Sequence, residues 1–221
     1  VLKQCSLVES TYDVNKILND FSFECKNNII TYPIKPELFI VRNDTEKIIK
    51  KKSKSKPIIL PVECMHKISL ENVEENIMIK KDDVRKDVII MNCIILMDNI
   101  LKNAGLNLHI VDYNILAISD VLGLVEMVSD AKTIHEIQKS NFSIQNYIFE
   151  HNPTISVEDA RTYYMKSCAA YCIIGYILGI GDRHLENIMI TKNGAIFHID
   201  FEFILGHDPK LIRPEIRITP E

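Results

Sequence analysis

The chain has no tryptophan, only seven glycines and eight prolines in 221 residues, and no apolar run long enough to span a bilayer. Scarce glycine and proline exclude a collagen-like or low-complexity chain. The longest mostly apolar stretch, Cys168 to Ile180, contains two tyrosines and two glycines and falls short of the roughly 20 residues a membrane helix needs, so it reads as a buried helix. No C-x-x-C pair occurs among Cys5, Cys25, Cys64, Cys93, Cys168 and Cys172. These cysteines sit in apolar segments, which points to free thiols in a reducing, cytosolic setting rather than a disulfide framework. The formal net charge is -4, so nothing global calls for nucleic acid. No signal sequence opens the chain, and a first residue of Val1 suggests a piece of a longer protein.

What is present is a 47% hydrophobic composition, enough for one sizeable core or two small lobes, and one stretch dense in chemistry. Residues 179 to 200 read G-I-G-D-R-H-L-E-N-I-M-I-T-K-N-G-A-I-F-H-I-D. Asp182, Arg183, His184 and Asn187 fall on a loop, and Asp200 ends the second of two apolar runs separated by the turn Lys192-Asn193-Gly194. The spacing predicts a hairpin, which brings Asn187 and Asp200 together at its open end. A carboxylate, an imidazole and an amide oxygen meeting a second carboxylate can hold Mg²⁺ and handle a hydroxyl proton in phosphoryl transfer.

Apolar positions Leu2, Leu7, Val8, Val14, Ile17, Leu18 and Phe21 predict amphipathic helix over residues 1 to 20. Short β-branched runs at Ile29 to Tyr32, Leu38 to Val41 and Ile58 to Leu60, broken by prolines, predict an antiparallel sheet. Between them, the lysine-rich K-S-K-S-K-P is either a solvated basic turn or a loop whose amides, hydroxyls and a lysine cradle phosphates. Ile77 to Ile79 form a strand on which Lys80 shares a face with Met78 by parity. A helix from Val84 to Ala104 follows, with Asp83 and Asp87 at its start and Gly105 at its end. A strand lysine before a helix bearing an acidic partner is how kinases position nucleotide phosphates. Runs at Leu108 to Val111, Ile115 to Ile118 and Gly123 to Val128 predict three strands leading to a second lobe, where the Glu126 carbonyl and Val128 amide can meet an adenine edge. Helices are predicted at Thr133 to Lys139, Ile144 to Phe149 and Val157 to Leu178, the last with Ser156 as N-cap.

K-S-K-S-K-P, I-M-I-K-K-D-D-V-R-K-D, G-L-V-E-M-V-S-D-A-K-T-I, G-D-R-H-L-E-N, H-I-D-F, I-L-G-H-D-P-K and P-E-I-R-I-T-P-E occur in that order. Together they resemble the catalytic domain of the phosphatidylinositol 3- and 4-kinase superfamily, most closely a phosphatidylinositol 3-kinase cut short at its carboxyl end. The resemblance implies an α+β, protein-kinase-like two-lobed fold, with an antiparallel-sheet lobe to about Val128, a mainly helical lobe after it, and ATP between them. It implies that Ser53 and Lys54 lie in the phosphate loop and that Lys80 and Asp87 position the ATP phosphates. Tyr113 would lie behind adenine, Glu126 and Val128 would make the hinge contacts, and Met189 and Ile199 would form the apolar floor. Asp182, Arg183 and His184 match the catalytic loop, with His184 the expected proton acceptor, and Asn187 and Asp200 match the ligands of Mg²⁺ or Mn²⁺. His198 reads as a structural histidine.

The following loop, with Lys210 and Arg213, is expected to meet the lipid head group. It lacks a dense basic box, and its I-L-G-H-D-P-K is similar to class III enzymes, which favours unmodified phosphatidylinositol and transfer to the 3-hydroxyl. Peripheral contact with endomembranes and a regulatory subunit or upstream domains as partners are also implied. Glu202 stands where the family has the glycine of D-F-G, and this keeps a non-catalytic nucleotide-binding domain as the alternative, with a related serine/threonine protein kinase as a third reading.

Overall fold

The computed structural model describes residues 30–43, 48–50 and 57–209. The helix expected over residues 1 to 20, Ser53 and Lys54 of the expected phosphate loop, and Lys210 and Arg213 of the expected substrate loop lie outside the described residues. The chain divides into two units, residues 1–88 with 113–127, and residues 89–112 with 128–221.

The first unit is an antiparallel sheet of β1 (Ile30–Thr31), β2 (Leu38–Asn43), β3 (Ile49–Lys50), β4 (Ile58–His66), β5 (Asn72–Lys80), β6 (Ile115–Ser119) and β7 (Leu122–Glu126). Its order is β1-β2-β4-β5-β7-β6, with β3 also on β4. The β4–β5 hairpin is longer than the apolar runs alone predict. Pro61 does not end β4: it pairs with Asn76 on β5 and, on the other side, falls between Ile59, which pairs with β3, and Val62, which pairs with β2. One face carries Tyr32, Leu60, Val62, Cys64, Ile77, Ile79 and Leu124 into a common core. Ile77 and Ile79 face this core, and strand alternation puts Met78 and Lys80 on the opposite face. Gly123 pairs with Lys80 and has Val84 against it. A Cβ at Gly123 would stand 2.1 Å from the Val84 side chain, so the glycine lets the fully buried Val84 pack directly on β7.

Helix α1 (Arg85–Asn103) carries Asp87 in its first turn and Lys102 in its last, both favourable to the helix dipole. The strand expected over Leu108 to Val111 is absent. His109 takes a left-handed φ of 52°, which breaks an extended run, and the segment is held instead by a hydrogen bond donated from the Tyr171 hydroxyl to the Val111 carbonyl at 3.0 Å.

The second unit is mainly helical: α2 (Ile134–Lys139), α3 (Ile144–His151) and α4 (Val157–Ile177) accompany a three-stranded sheet of β8 (Ala131–Thr133), β9 (Ile188–Thr191) and β10 (Ile196–His198), in the order β10-β9-β8. Thr133 caps α2 in a capping box with Glu136, Ser143 caps α3 and Ser156 caps α4. Strand β8 (Ala131–Thr133) carries no pattern of its own and exists because β9 (Ile188–Thr191) offers it an edge. Strand β10 (Ile196–His198) completes the expected hairpin. Its Ile196 and β9's Ile190 pack with Ile134, Ile137, Tyr147, Ile148 and Ala160. The buried Ser167 of α4 accepts from the Ile196 amide at 2.8 Å and so fixes the hairpin to the helix. No helix among the described residues is long and apolar enough to cross a membrane.

Candidate functional site

Helix α4 ends at Leu178, and Gly179, at φ 56°, turns the chain into the loop that holds the candidate catalytic residues. The loop is paired along its entry with the segment after Phe201. Gly181 donates to the Phe203 carbonyl at 2.8 Å, Leu205 to Leu178 at 2.9 Å, and Gly206 to Gly179 at 3.1 Å. Glycine is required at both loop positions. A Cβ on Gly179 would lie 2.6 Å from the Gly206 nitrogen, and one on Gly181 would lie 2.5 Å from the His207 carbonyl oxygen.

Asp182 and Asp200 both take left-handed backbone conformations, at φ 52° and 62°. Aspartate tolerates this region better than most residues, yet two such positions in one site need surrounding structure to hold them. At Asp182 the main-chain amide donates to Asp208 Oδ2 at 3.1 Å, and the carbonyl accepts from Asn187 Nδ2 at 3.0 Å. At Asp200 the carbonyl accepts from Arg183 Nη2.

Arg183 is the tie between loop and hairpin. Only 7% exposed, it donates from Nε to the Gly181 carbonyl at 2.7 Å and from Nη1 to the Ile199 carbonyl at 2.8 Å and the Asn187 carbonyl at 3.4 Å, and it lies over the Phe201 ring at 5.7 Å. A planar fork with five donors suits several fixed carbonyls, which a lysine could not serve together. The geometry gives Arg183 a positioning role within the site.

The hairpin register pairs Ile188 with His198, and the Ile199 amide donates to the Asn187 carbonyl at 3.1 Å, so Asn187 and Asp200 stand on adjacent chain ends. Because Asn187 spends its amide nitrogen on Asp182, its side-chain oxygen is the end left to face a cation. One amide oxygen and one carboxylate suit Mg²⁺, which takes few protein ligands and completes its shell with water and phosphate oxygens. The donor set fits.

His184 Nε2 lies 3.7 Å from Asp182 Oδ2, and its Nδ1 accepts from the Glu186 amide at 3.2 Å. With Nδ1 accepting, the neutral ring carries its proton on Nε2, the atom that faces Asp182. His198 stacks on Tyr171 with ring centroids 4.7 Å apart, and burial, then the nearby Arg183 charge, push it down to about 3. Its ring is therefore neutral, in keeping with a structural residue.

In the sheet unit, Lys80 ends β5 with its side chain 14% exposed and its Nζ 3.5 Å from Asp82. Asp87 and Tyr113 are buried. Glu126 ends β7, and Val128 follows it without regular structure. In the helical unit, Met189 pairs with Phe197 and with Thr133, and Ile199 follows β10.

A model of the family described as phosphatidylinositol 3- and 4-kinase matches residues 75–220. The chain belongs to that family. It is similar to phosphatidylinositol 3-kinase pik3 of Schizosaccharomyces pombe, at 34% identity over 197 residues, 86% of this chain and 24% of that one. It is also similar to phosphatidylinositol 3-kinase VPS34 of Saccharomyces cerevisiae, at 35% over 200 residues, 87% of this chain and 22% of that one. The nodule isoform of phosphatidylinositol 3-kinase from Glycine max is 38% identical over 147 residues, 64% of this chain and 18% of that one. The chain thus spans no more than a quarter of the length of these relatives.

Within the candidate site, sequence reasoning passed over Asp208 and Ser167. Asp208 lay in a quoted motif, but its partner is a main-chain amide 26 positions away, which side-chain pattern does not reveal. Ser167 lies on a helix face whose neighbours give no polar signal.

Proposed function

We propose that this domain is a lipid kinase that transfers the γ-phosphate of ATP to the 3-hydroxyl of phosphatidylinositol. The observation that carries the reading is the Arg183 tie, which holds the loop bearing Asp182 and His184 to the hairpin end bearing Asn187 and Asp200. In this reading Lys80 and Asp87 are assigned to the triphosphate and Ser53 and Lys54 to the phosphate loop, the Glu126 carbonyl and Val128 amide to the adenine edge, and Tyr113, Met189 and Ile199 each to contact with the base. Asn187 and Asp200 would hold Mg²⁺, which when bound supplies charge neutralisation on the phosphates. The sequence points to His184 as proton acceptor, but with Nδ1 taken by the Glu186 amide its other nitrogen, Nε2, faces Asp182, so we assign the hydroxyl proton to Asp182 with His184 as a donor beside it. Lys210 and Arg213 would meet the head group from the membrane surface. Transfer to the 3-hydroxyl and the unmodified lipid extend what the named relatives suggest, and we propose in addition an endomembrane setting and a regulatory subunit.

The alternative of a domain that binds nucleotide without turnover rested on Glu202. The Glu202 side chain is exposed, and the left-handed backbone positions are Asp200 and Leu205, not Glu202. A glycine is therefore not demanded at position 202, and this favours turnover. Phosphatidylinositol vesicles with ATP and Mg²⁺ test the proposal. Wild type and Glu202→Gly should both make the 3-phosphorylated lipid, and Asp200→Ala should not. ATP binding by wild type without any lipid product would establish the non-catalytic reading, and product from peptide alone would establish a protein kinase.

A further inference from the structure

Lys35 occupies the tight turn between β1 and β2, far in sequence from any residue assigned above. The turn is stiff. Pro33 and Pro36 flank Lys35, main-chain bonds link Tyr32 with Leu38 and Lys35 with Tyr32 and Leu38, and Tyr32, Ile34 and Leu38 are buried in the sheet core. The Lys35 ammonium stands 2.8 Å from Glu75 Oε1 on β5 and 2.8 Å from Glu126 Oε1 at the end of β7. All three side chains are less than one-fifth exposed, at 19%, 11% and 16%.

The second carboxylate oxygen of Glu126 is also engaged. It accepts from the Asn114 main-chain amide at 2.8 Å and from Asn114 Nδ2 at 2.7 Å, while the Glu126 amide donates to the Asn114 carbonyl at 2.9 Å. Glu126 is thus held by its side chain on two sides and by its amide. Its own carbonyl is the main-chain group assigned above to adenine, and Asn114 adjoins Tyr113, assigned behind the base. At the end of β7 the backbone of Glu126 is placed by its register with Ile77 on β5, and the Lys35 and Asn114 contacts add the hold on its side chain.

We propose that Lys35 is a positioning residue for the nucleotide base: by bridging Glu75 and Glu126 it fixes the end of β7 so that the Glu126 carbonyl and the following chain present themselves to adenine. This rests on the nucleotide reading above. The physical case is one of like charge. Without the ammonium, two shielded carboxylates that share one cation face each other, and one must swing away or take up a proton. Glu126 stands at a strand end with Asn114 bonded to the same carboxylate, so a shift forced on it by this repulsion is passed to Asn114 and to the end of β7. An arginine at position 35 can satisfy both carboxylates with its forked donors, whereas a methionine keeps the aliphatic stem and loses the bridge.

The test compares wild type, Lys35→Met and Lys35→Arg for binding of Mg²⁺-ATP and of Mg²⁺ with inorganic tripolyphosphate, together with amide hydrogen exchange over residues 125 to 128. Lys35→Met should weaken ATP about tenfold, equivalent to one lost hydrogen bond at the base, leave tripolyphosphate within twofold, and speed exchange at the strand end. Lys35→Arg should restore both. Equal weakening of the two ligands, an arginine variant no better than methionine, or unchanged exchange would overturn the positioning role, since general loosening of the sheet would affect both ligands alike. Wild type that binds neither ligand, or binds ATP no better than tripolyphosphate, would overturn the nucleotide reading and the base role with it. Faster exchange in Lys35→Met would then show that the bridge orders β7 for another purpose.

Discussion

The carboxylate of Asp208 accepts a hydrogen bond from the main-chain amide of Asp182 at 3.1 Å, so a residue beyond the metal motif holds the candidate proton acceptor in its left-handed conformation. Removing the acceptor leaves a part-buried amide unmet, which typically costs about 1–3 kcal/mol. Asp208→Ala is expected to lower kcat for lipid phosphorylation about tenfold while changing KM for ATP little, because the phosphate and base contacts lie on other residues. Asp208→Asn keeps an oxygen in place and should recover most of the rate. Steady-state kinetics of both variants decides, and an alanine variant with normal kcat would remove Asp208 from the account.

Arg183→Lys keeps the charge and loses the fork. The four carbonyls of Gly181, Asn187, Ile199 and Asp200 converge on one guanidinium, and an ammonium has at most three donors on a single atom. We expect a stability loss of about 2–4 kcal/mol and near-complete loss of turnover, since the loop and the hairpin end would no longer be tied. Thermal unfolding and turnover should fall together. Turnover lost at wild-type stability would instead mean that Arg183 touches substrate directly.

Two glycine substitutions six positions apart should have opposite signs. Gly175 lies in α4 with nothing within 4 Å of where its Cβ would stand, so Gly175→Ala should stabilise by about 0.5–1 kcal/mol through helix propensity. Gly181→Ala places a Cβ 2.5 Å from the His207 carbonyl oxygen and 2.9 Å from Asp208 Oδ2, and should destabilise by about 1–3 kcal/mol while separating Asp208 from Asp182. Differential scanning calorimetry of the two variants tests the sign directly.

These cases show where sequence was sufficient and where it was not. The hairpin around Asn193-Gly194, the cap at Ser156, and the shared face of Met78 and Lys80 follow from local periodicity and turn chemistry, and all appear in the structure. Strand β8 was illegible because its reason to exist is the edge of β9, and the Leu108 to Val111 run was misread because a left-handed His109 interrupts it. The site divides the same way. Its side-chain types were legible from spacing, whereas the contacts that hold them, Arg183 to carbonyls, Asp208 to an amide, Lys35 to two distant glutamates, are long-range and leave no periodic trace.

Alkaline pH offers a probe of the sheet core. Cys64 is fully enclosed on β4, and burial, followed by the Glu75 charge, pushes its thiol from 9.0 up to about 11. The unfolded chain ionises this thiol first, so between pH 9 and pH 11 the folded state binds more protons than the unfolded one, and stability must fall as pH rises. The slope approaches about 1.4 kcal/mol per pH unit at mid-window and vanishes below pH 8. Cys64→Val keeps a branched side chain suited to a strand and abolishes this titration, while the buried Tyr32 hydroxyl, also pushed upward, remains in both proteins. Urea unfolding at intervals from pH 8 to pH 10.5, followed by circular dichroism, should show wild type losing stability more steeply than Cys64→Val. Parallel curves would mean that the thiolate forms in the folded sheet as readily as in the unfolded chain, which a side chain enclosed by Tyr32, Val62 and Ile77 cannot easily allow.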